Sequence, residues 1–202
     1  MLLRKILAMS ALHKPEIILA SASPRRELLL REMGLHFRVV LPTGVDELTG
    51  GLAPDVLAMH NAQRKARAVA GHHRDAVVIG ADTIVVLDDV VFGKPRDLPA
   101  AEVMIGQLAG RRHDVFTGVC IIDRQREITF AERTGVCMRA LNTEQIRDYF
   151  TKVNPLDKAG AYGAQEFGEL ILERVEGSFR NVMGLPVERL SAALEQLNGI
   201  AL

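Results

Sequence analysis

Val77-Val78-Ile79-Gly80-Ala81-Asp82-Thr83-Ile84-Val85-Val86 is a run of β-branched and small residues with one carboxylate set in its middle. Residues 76–87 read as a long hydrophobic strand, and Asp88-Asp89 turns it back into Val90-Val91-Phe92. Upstream, Ile17-Ile18-Leu19-Ala20 suits a short strand buried on both faces. Ser23 then N-caps a helix with Pro24 at its first position and Gly34 past its end. Residues 37–41 read as a strand and 43–51 as a polar loop, and Pro54-Asp55 opens a long helix that stops at Gly71. Downstream come a helix over 98–109 closed by Gly110, and strands over 115–122 and 127–138 around a turn at 123–126. Thr143 caps a helix running to about Lys152. A glycine-containing loop follows, then a strand over 169–175, a second such loop at 177–184 and a final helix over 186–197. Helices interleave with single strands and hairpins, which predicts an α/β fold with a mixed sheet. No linker or repeat interrupts the chain, so residues 1–202 read as a single domain.

The hydrophobic fraction of 48% is ample for a core at this length. Twenty-five basic residues balance twenty-five acidic ones. That neutrality argues against a nucleic-acid binder or an anionic-membrane binder, so anion binding must come from local clusters. Cys120 and Cys137 lie in apolar strand-like segments without metal-ligand spacing and read as reduced core thiols. No apolar run reaches the ~18 residues of a membrane span. Residues 1–14 read as an extension before the first strand rather than a signal peptide, and the expected compartment is the cytoplasm. The six histidines share no ligand spacing and read as surface or core residues.

Four places break local rules, and such places point to function because something must compensate them. Asp82 is the sharpest. Aspartate is disfavoured in strands, and an unpaired buried carboxylate costs several kcal/mol. It is read either as a metal ligand or water activator, or as half of a structural salt bridge or a turn residue. Gly80-Ala81 before it clears space for something to approach the backbone. Arg25 and Arg26 occupy the first turn of a helix, where positive charge opposes the macrodipole. Either they converge on an anion bound there or they fan into solvent. Lys65 and Asn61 fall inside the apolar arc of their helix, at ~100° per residue. A lysine so placed snorkels out or meets a buried anion. Finally, the loop Asp157-Lys158-Ala159-Gly160-Ala161-Tyr162-Gly163-Ala164-Gln165 permits close approach to a ligand, and Gln165 carries both halves of an amide, suited to reading a base edge.

Taken in order, the segments Leu19-Ala20-Ser21-Ala22-Ser23-Pro24-Arg25-Arg26, Val45-Asp46-Glu47, Lys65-Ala66, Gly80-Ala81-Asp82-Thr83, Gly93-Lys94-Pro95, Thr117-Gly118-Val119, Asp157 to Tyr162, and Gly177-Ser178 with Gly184-Leu185-Pro186 resemble the Maf family of nucleotide pyrophosphatases, historically named for septum formation. The resemblance covers nearly the whole chain from about residue 16; Met1 to His13 lie outside it. It implies an elongated, two-lobed fold related to the inosine-triphosphate pyrophosphatases, with the active site in a cleft between lobes. It also implies roles. Asp82 would activate water, and Glu47 would help Asp82 hold a divalent metal, Mg or Mn. Lys65, Lys94, Ser21, Arg25 and Arg26 would grip the triphosphate. Arg25, Thr83 and Gln165 stand at the positions that, by the resemblance, distinguish one subfamily from the other.

The subfamily resembled is the one acting on dTTP and UTP. The sister subfamily directed at 7-methyl-GTP has a tryptophan before the arginines, and this chain has no tryptophan. The implied reaction yields a nucleoside monophosphate and pyrophosphate. Alternatives are the same chemistry on 7-methyl-GTP or a modified nucleotide, and a nucleotide-sensing regulator of cell division without turnover. A homodimer is the family expectation.

Overall fold

A computed structural model describes residues 15–198; the expected extension over residues 1–14 lies outside the described residues. Among these, seven strands form one mixed sheet: β1 (Ile17–Ala20), β2 (Phe37–Val39), β3 (Val77–Leu87), β4 (Val90–Phe92), β5 (Arg112–Asp123), β6 (Arg126–Met138) and β7 (Leu172–Glu176). The order is β2-β1-β3-β5-β6-β7, with β4 added to β3. β1 runs parallel to β2 and β3, and the remaining pairings are antiparallel. The helices are α1 (Pro24–Glu32), α2 (Pro54–Ala70), α3 (Leu98–Leu108), α4 (Thr143–Lys152), α5 (Gly168–Ile171), α6 (Phe179–Met183) and α7 (Val187–Asn198). None of the described helices is long and apolar enough to cross a membrane. The β3–β4 hairpin turns where expected, with Asp88 and Asp89 both at positive φ, 48° and 63°, as a tight two-residue connection requires.

Alternation along β3 sends its side chains to two different layers. Val77, Ile79 and Ala81 pack with Leu29 and Leu30 of α1 and Leu190 and Leu194 of α7. Further along the same face, Val85 and Leu87 join a second cluster with Ile105 of α3 and Ile146 of α4. Thr83 falls between these two apolar clusters. On the opposite face Val78 meets Ala62 and Ala66 of α2, while Ile84 and Val86 meet its Leu57 and Ala58.

What approaches the backbone at Gly80 is helix α2. A Cβ at Gly80 would sit 2.5 Å from the Ala62 carbonyl oxygen, and one at Gly118 on neighbouring β5 would sit 2.3 Å from the Ala58 carbonyl. The two glycines let the helix lie against the sheet with no side chain between, and its alanines complete the fit.

The strand pairings leave one gap. β1 pairs with β3 only as far as Gly80, and β4 begins pairing at Val85. Residues 81–84 of β3 therefore have one bare edge, just beyond the carboxyl end of β1. Open α/β sheets bind ligands outside such carboxyl ends.

Several expected elements differ in detail. Ser23 occupies the N-cap of α1, but its side chain makes no capping bond; instead its N–H donates to the Ser21 hydroxyl at 3.2 Å. The α4 cap is Asn142, not Thr143, in a reciprocal capping box with Gln145. Of the strand expected over 169–175, the first part is helix α5, entered through Phe167 at φ 52°, and only the remainder is β7. A short apolar run fits either period, and here the turn before it decides. The loop at 177–184 contains α6, which starts with a Ser178 cap and ends at Gly184 with φ 117°. β2 stops at Val39, whereas β5 and β6 extend to a two-residue turn. Cys120 is a buried thiol, but Cys137 is only half-buried, with the Arg174 guanidinium 3.5 Å from its sulfur.

Gly118→Ala is expected to lower stability by about 1–3 kcal/mol through overpacking against α2. Gly106→Ala, where nothing lies within 4 Å of the added methyl, is expected to be neutral or stabilising by about 0.5–1 kcal/mol. Urea denaturation of both variants reads the contrast; equal stability of Gly118→Ala and the parent would remove the need for close approach.

Candidate active site

At the bare edge of β3 opens a cleft of about 440 Å3. Its walls come from the loop after β1, the 41–49 loop, α2, β3, the turn after β4, the 157–165 loop and the end of α6. The four catalytic candidates Asp82, Glu47, Lys65 and Lys94 line it, as do the binding candidates Ser21, Arg25, Arg26, Thr83 and Gln165. Asp82 and Thr83 are neighbours in a strand and so face opposite sides of the sheet. Both reach the same cleft because no strand covers that edge.

On the α2 side, Asp82 is 6% exposed. Lys65 donates to its Oδ1 at 2.6 Å, and Asn61, one helical turn earlier, donates to its Oδ2 at 3.0 Å. The same Lys65 ammonium lies 2.6 Å from Glu47 Oε1. Of the two fates open to a lysine on the apolar arc, Lys65 meets a buried anion, Asp82, with the more exposed Glu47 on its other side. Asn61 also accepts from the Leu48 N–H at 2.9 Å and donates to the Leu48 carbonyl at 3.0 Å. It thus pins the loop that carries Glu47 onto α2. Sequence reasoning marked Asn61 as out of place and gave it no role; its spacing of four from Lys65 was the available signal.

Burial alone would raise the Glu47 pKa. The attraction and hydrogen bond of Lys65, with smaller help from Lys94 and Arg26, outweigh it and hold the carboxyl below its ordinary 4.5. Lys94 itself is exposed and makes no ion pair or hydrogen bond among the described residues, so its charge is free to meet a ligand.

Across the cleft, Arg26 does not fan into solvent. It is 8% exposed and donates to the Gly184 carbonyl, the Ser21 hydroxyl and the Thr83 hydroxyl, each at 2.9 Å. Burial lowers its pKa, although guanidinium stays charged. The direction of the hydroxyl chain follows from counting protons. Thr117 donates to the Asn181 carbonyl at 3.0 Å, so Thr83 must donate to Thr117, 3.0 Å away. The Thr83 hydroxyl is spent on holding Arg26. Ser21 accepts from both Arg26 and the Ser23 N–H, and its own proton remains to donate. Arg25 is partly exposed and pairs with Asp157, at 3.2 Å to the carboxylate and 3.3 Å to the carbonyl.

At the far end, Gln165 Nε2 donates to Glu166 Oε1 at 2.9 Å, and Gln165 Oε1 is buried without a partner. Lys158, whose side chain is 3% exposed, lies 3.0 Å from Glu166 Oε2. It donates to Asp157 Oδ1 and to the Asn154 carbonyl, both at 2.8 Å. In the sequence the one mark of Lys158 is that it is a lysine beside alanines and glycines.

No group of three or more histidines, cysteines or acids is placed to hold a metal ion among the described residues. Two carboxylates, Asp82 and Glu47, do converge on a single cation, the Lys65 ammonium. That donor set suits a hard divalent ion of the Mg type, which takes one or two carboxylates and completes its shell with water and substrate phosphates.

The architecture has relatives among solved structures. The Ham1 protein of Staphylococcus aureus superposes with a TM-score of 0.50 at 15% identity, covering 90% of this chain and 98% of that one. A HAM1 protein from Coxiella burnetii gives the same score and identity over 91% and 100%. At such identity the likeness concerns the fold, an α/β architecture with a mixed sheet. Residues 16–197 match the family described as Maf-like protein, and the chain belongs to the Maf family. It is 42% identical over 184 residues to a dTTP/UTP pyrophosphatase of Bacillus cereus (strain ATCC 10987 / NRS 248), covering 91% of this chain and 90% of the relative. It is 41% identical to one of Bacillus anthracis (strain CDC 684 / NRRL 3495), covering 91% and 96%.

Lys65→Met is expected to cost about 3–5 kcal/mol near neutral pH, because it strands a buried carboxylate; Lys65→Met with Asp82→Asn should recover most of the loss. Guanidinium denaturation of the single and double variants checks this. Since Glu47 is held below its ordinary value of 4.5, its pairing stabilises fully above that pH and is lost as pH falls through the lower folded value. The stability gap between the parent and Glu47→Gln should therefore be present at neutral pH and close on acidification below 4.5. A gap independent of pH would contradict the pairing.

Proposed function

We propose that this protein hydrolyses nucleoside triphosphates, dTTP and UTP above others, to the nucleoside monophosphate and pyrophosphate. The observation that carries the reading is that one cleft is lined by a carboxylate pair, Asp82 and Glu47, and by the cations Arg25, Arg26 and Lys94. The relatives' names support the reaction and the bases. In this reading Arg26, Arg25, Lys94 and the free Ser21 proton bind the polyphosphate, whose charge would otherwise repel a nucleophile. Each oxygen of Asp82 accepts one hydrogen bond, which leaves lone pairs for a water. Asp82 takes that water's proton as its oxygen bonds to the α-phosphorus, and the bond from phosphorus to the bridging oxygen of pyrophosphate breaks. Charge gathering on the leaving group is met by the cationic side chains. Lys65 and Asn61 keep the carboxylate in place. A divalent ion, Mg or Mn, would be held by Glu47 and Asp82 and would supply Lewis-acid neutralisation of the phosphates.

Asp82 with Glu47, Lys65 and Lys94 are the proposed catalytic group, and Ser21, Arg25, Arg26, Thr83 and Gln165 the proposed binding group, Thr83 acting through Arg26. A cytoplasmic single-domain enzyme, associating as a homodimer and needing neither nucleic acid nor membrane, completes the proposal.

The test is incubation with UTP, dTTP, GTP and 7-methyl-GTP in Mg or Mn, with identification of the products. Pyrophosphate and monophosphate from UTP and dTTP are expected, with Asp82→Asn slower by at least about 100-fold. Orthophosphate as the product, full activity in Asp82→Asn, or tight binding without turnover would overturn the reading. Preference for 7-methyl-GTP would overturn the choice of base.

A further inference from the structure

Arg25, in the first turn of α1, and Asp157, in the turn Pro155–Asp157, stand 132 residues apart in the chain and meet at the cleft. Two oxygens of Asp157 hold the guanidinium. Oδ2 accepts from Nη1 at 3.2 Å, and the main-chain carbonyl accepts from Nη2 at 3.3 Å. A guanidinium has five N–H donors, so three remain for a ligand. What fixes Asp157 is Lys158. An ammonium has three protons, and three oxygens lie within 3.0 Å of this one: Asp157 Oδ1, the Asn154 carbonyl and Glu166 Oε2. The Lys158 side chain is 3% exposed, and it passes so close to Gly163 that a Cβ there would sit 2.8 Å from its Cε. Although Lys158 lines the cleft, it is an anchor with no proton to spare for a phosphate. Burial would raise the Asp157 pKa, but the bonds and charges of Lys158 and Arg25 outweigh it and hold the carboxyl below its ordinary 3.8. The carboxylate between the two cations is therefore charged at neutral pH.

We propose that Asp157, anchored by Lys158, is a positioning residue that holds Arg25 ready for the phosphates of the substrate. This rests on the triphosphate reading above and adds to it the residue that orders one of its cations. An unheld arginine loses rotamer freedom when it grips an anion, and one already held loses less. Charge alone argues the other way. A carboxylate in the cleft repels a phosphate, so its removal would by itself tighten binding. Positioning and simple charge thus predict effects of opposite sign.

The experiment is calorimetric titration with α,β-imido-UTP in Mg, which reads binding without turnover. It compares the parent, Asp157→Asn, Arg25→Ala and the double variant. Asparagine keeps the size and the main-chain carbonyl. Its one side-chain oxygen goes to the more deeply buried Lys158, and its NH2 group then faces Arg25 and releases it. Asp157→Asn should weaken binding about three- to tenfold. In the Arg25→Ala background the same substitution should cause no weakening, because the group it acts through is gone. Unchanged or tighter binding by Asp157→Asn overturns the proposal. An equal loss in both backgrounds marks a merely structural role and overturns it too. Parent-like binding by Arg25→Ala would remove Arg25 from the phosphate site and the proposal with it. An analogue that does not bind the parent at all would overturn the proposed function itself, on which the proposal rests.

Discussion

A buried carboxylate paired with an ammonium that a second, more exposed carboxylate also holds persists only if all three groups are delivered to one point with little freedom left. Here Lys65 is delivered by helix α2, Asp82 by the centre of strand β3 and Glu47 by a loop. The glycines at 80 and 118 remove the side chains that would otherwise hold α2 away from the sheet. Asn61 then closes the arrangement. It donates to the second oxygen of Asp82 and clasps the backbone of Leu48, next to Glu47. Without the close approach, Lys65 and Asn61 would not reach Asp82, and a bare carboxylate at that depth would cost several kcal/mol. Helix packing and site electrostatics are therefore one constraint.

The other side of the sheet solves a different problem. Two apolar clusters meet β3 on the same face, and between them runs a polar seam from Ser21 through Arg26, Thr83 and Thr117 to Asn181. Asn181 has no exposed surface and donates to the Val115 and Glu132 carbonyls and to the Thr134 hydroxyl. The seam fixes Arg26 from within, so that the cation presented to the cleft is pre-organised rather than recruited from solvent. The bare edge of β3 then lets groups from both faces serve one cavity.

How much of this the sequence disclosed depends on the range of the interaction. Asp82 announced itself because a carboxylate among Val and Ile residues violates strand preference locally. Lys65 and Asn61 did so through helical periodicity. The succession of strands along the chain and most helix limits followed from turn residues and period, but the order of the strands in the sheet did not. Three other features did not follow either. That what approaches Gly80 is helix α2 depends on a neighbour outside the strand. That Thr83 serves Arg26 depends on the proton count of a hydroxyl chain completed by Asn181. The helical turns α5 and α6 are too short for periodicity to separate them from strand and loop. Membership of the Maf family rested on the ordered set of short segments, each weak alone, and the match over residues 16–197 bears it out.

The account places a triphosphate in the cleft lined by Arg26, Lys94 and Asp82. A crystal structure with the non-hydrolysable analogue α,β-imido-UTP tests this most directly. The account predicts the α-phosphorus as the phosphorus nearest Asp82, with the phosphates against Arg26 and Lys94. A triphosphate bound elsewhere, or in this cleft with its γ-phosphorus over Asp82, would contradict it.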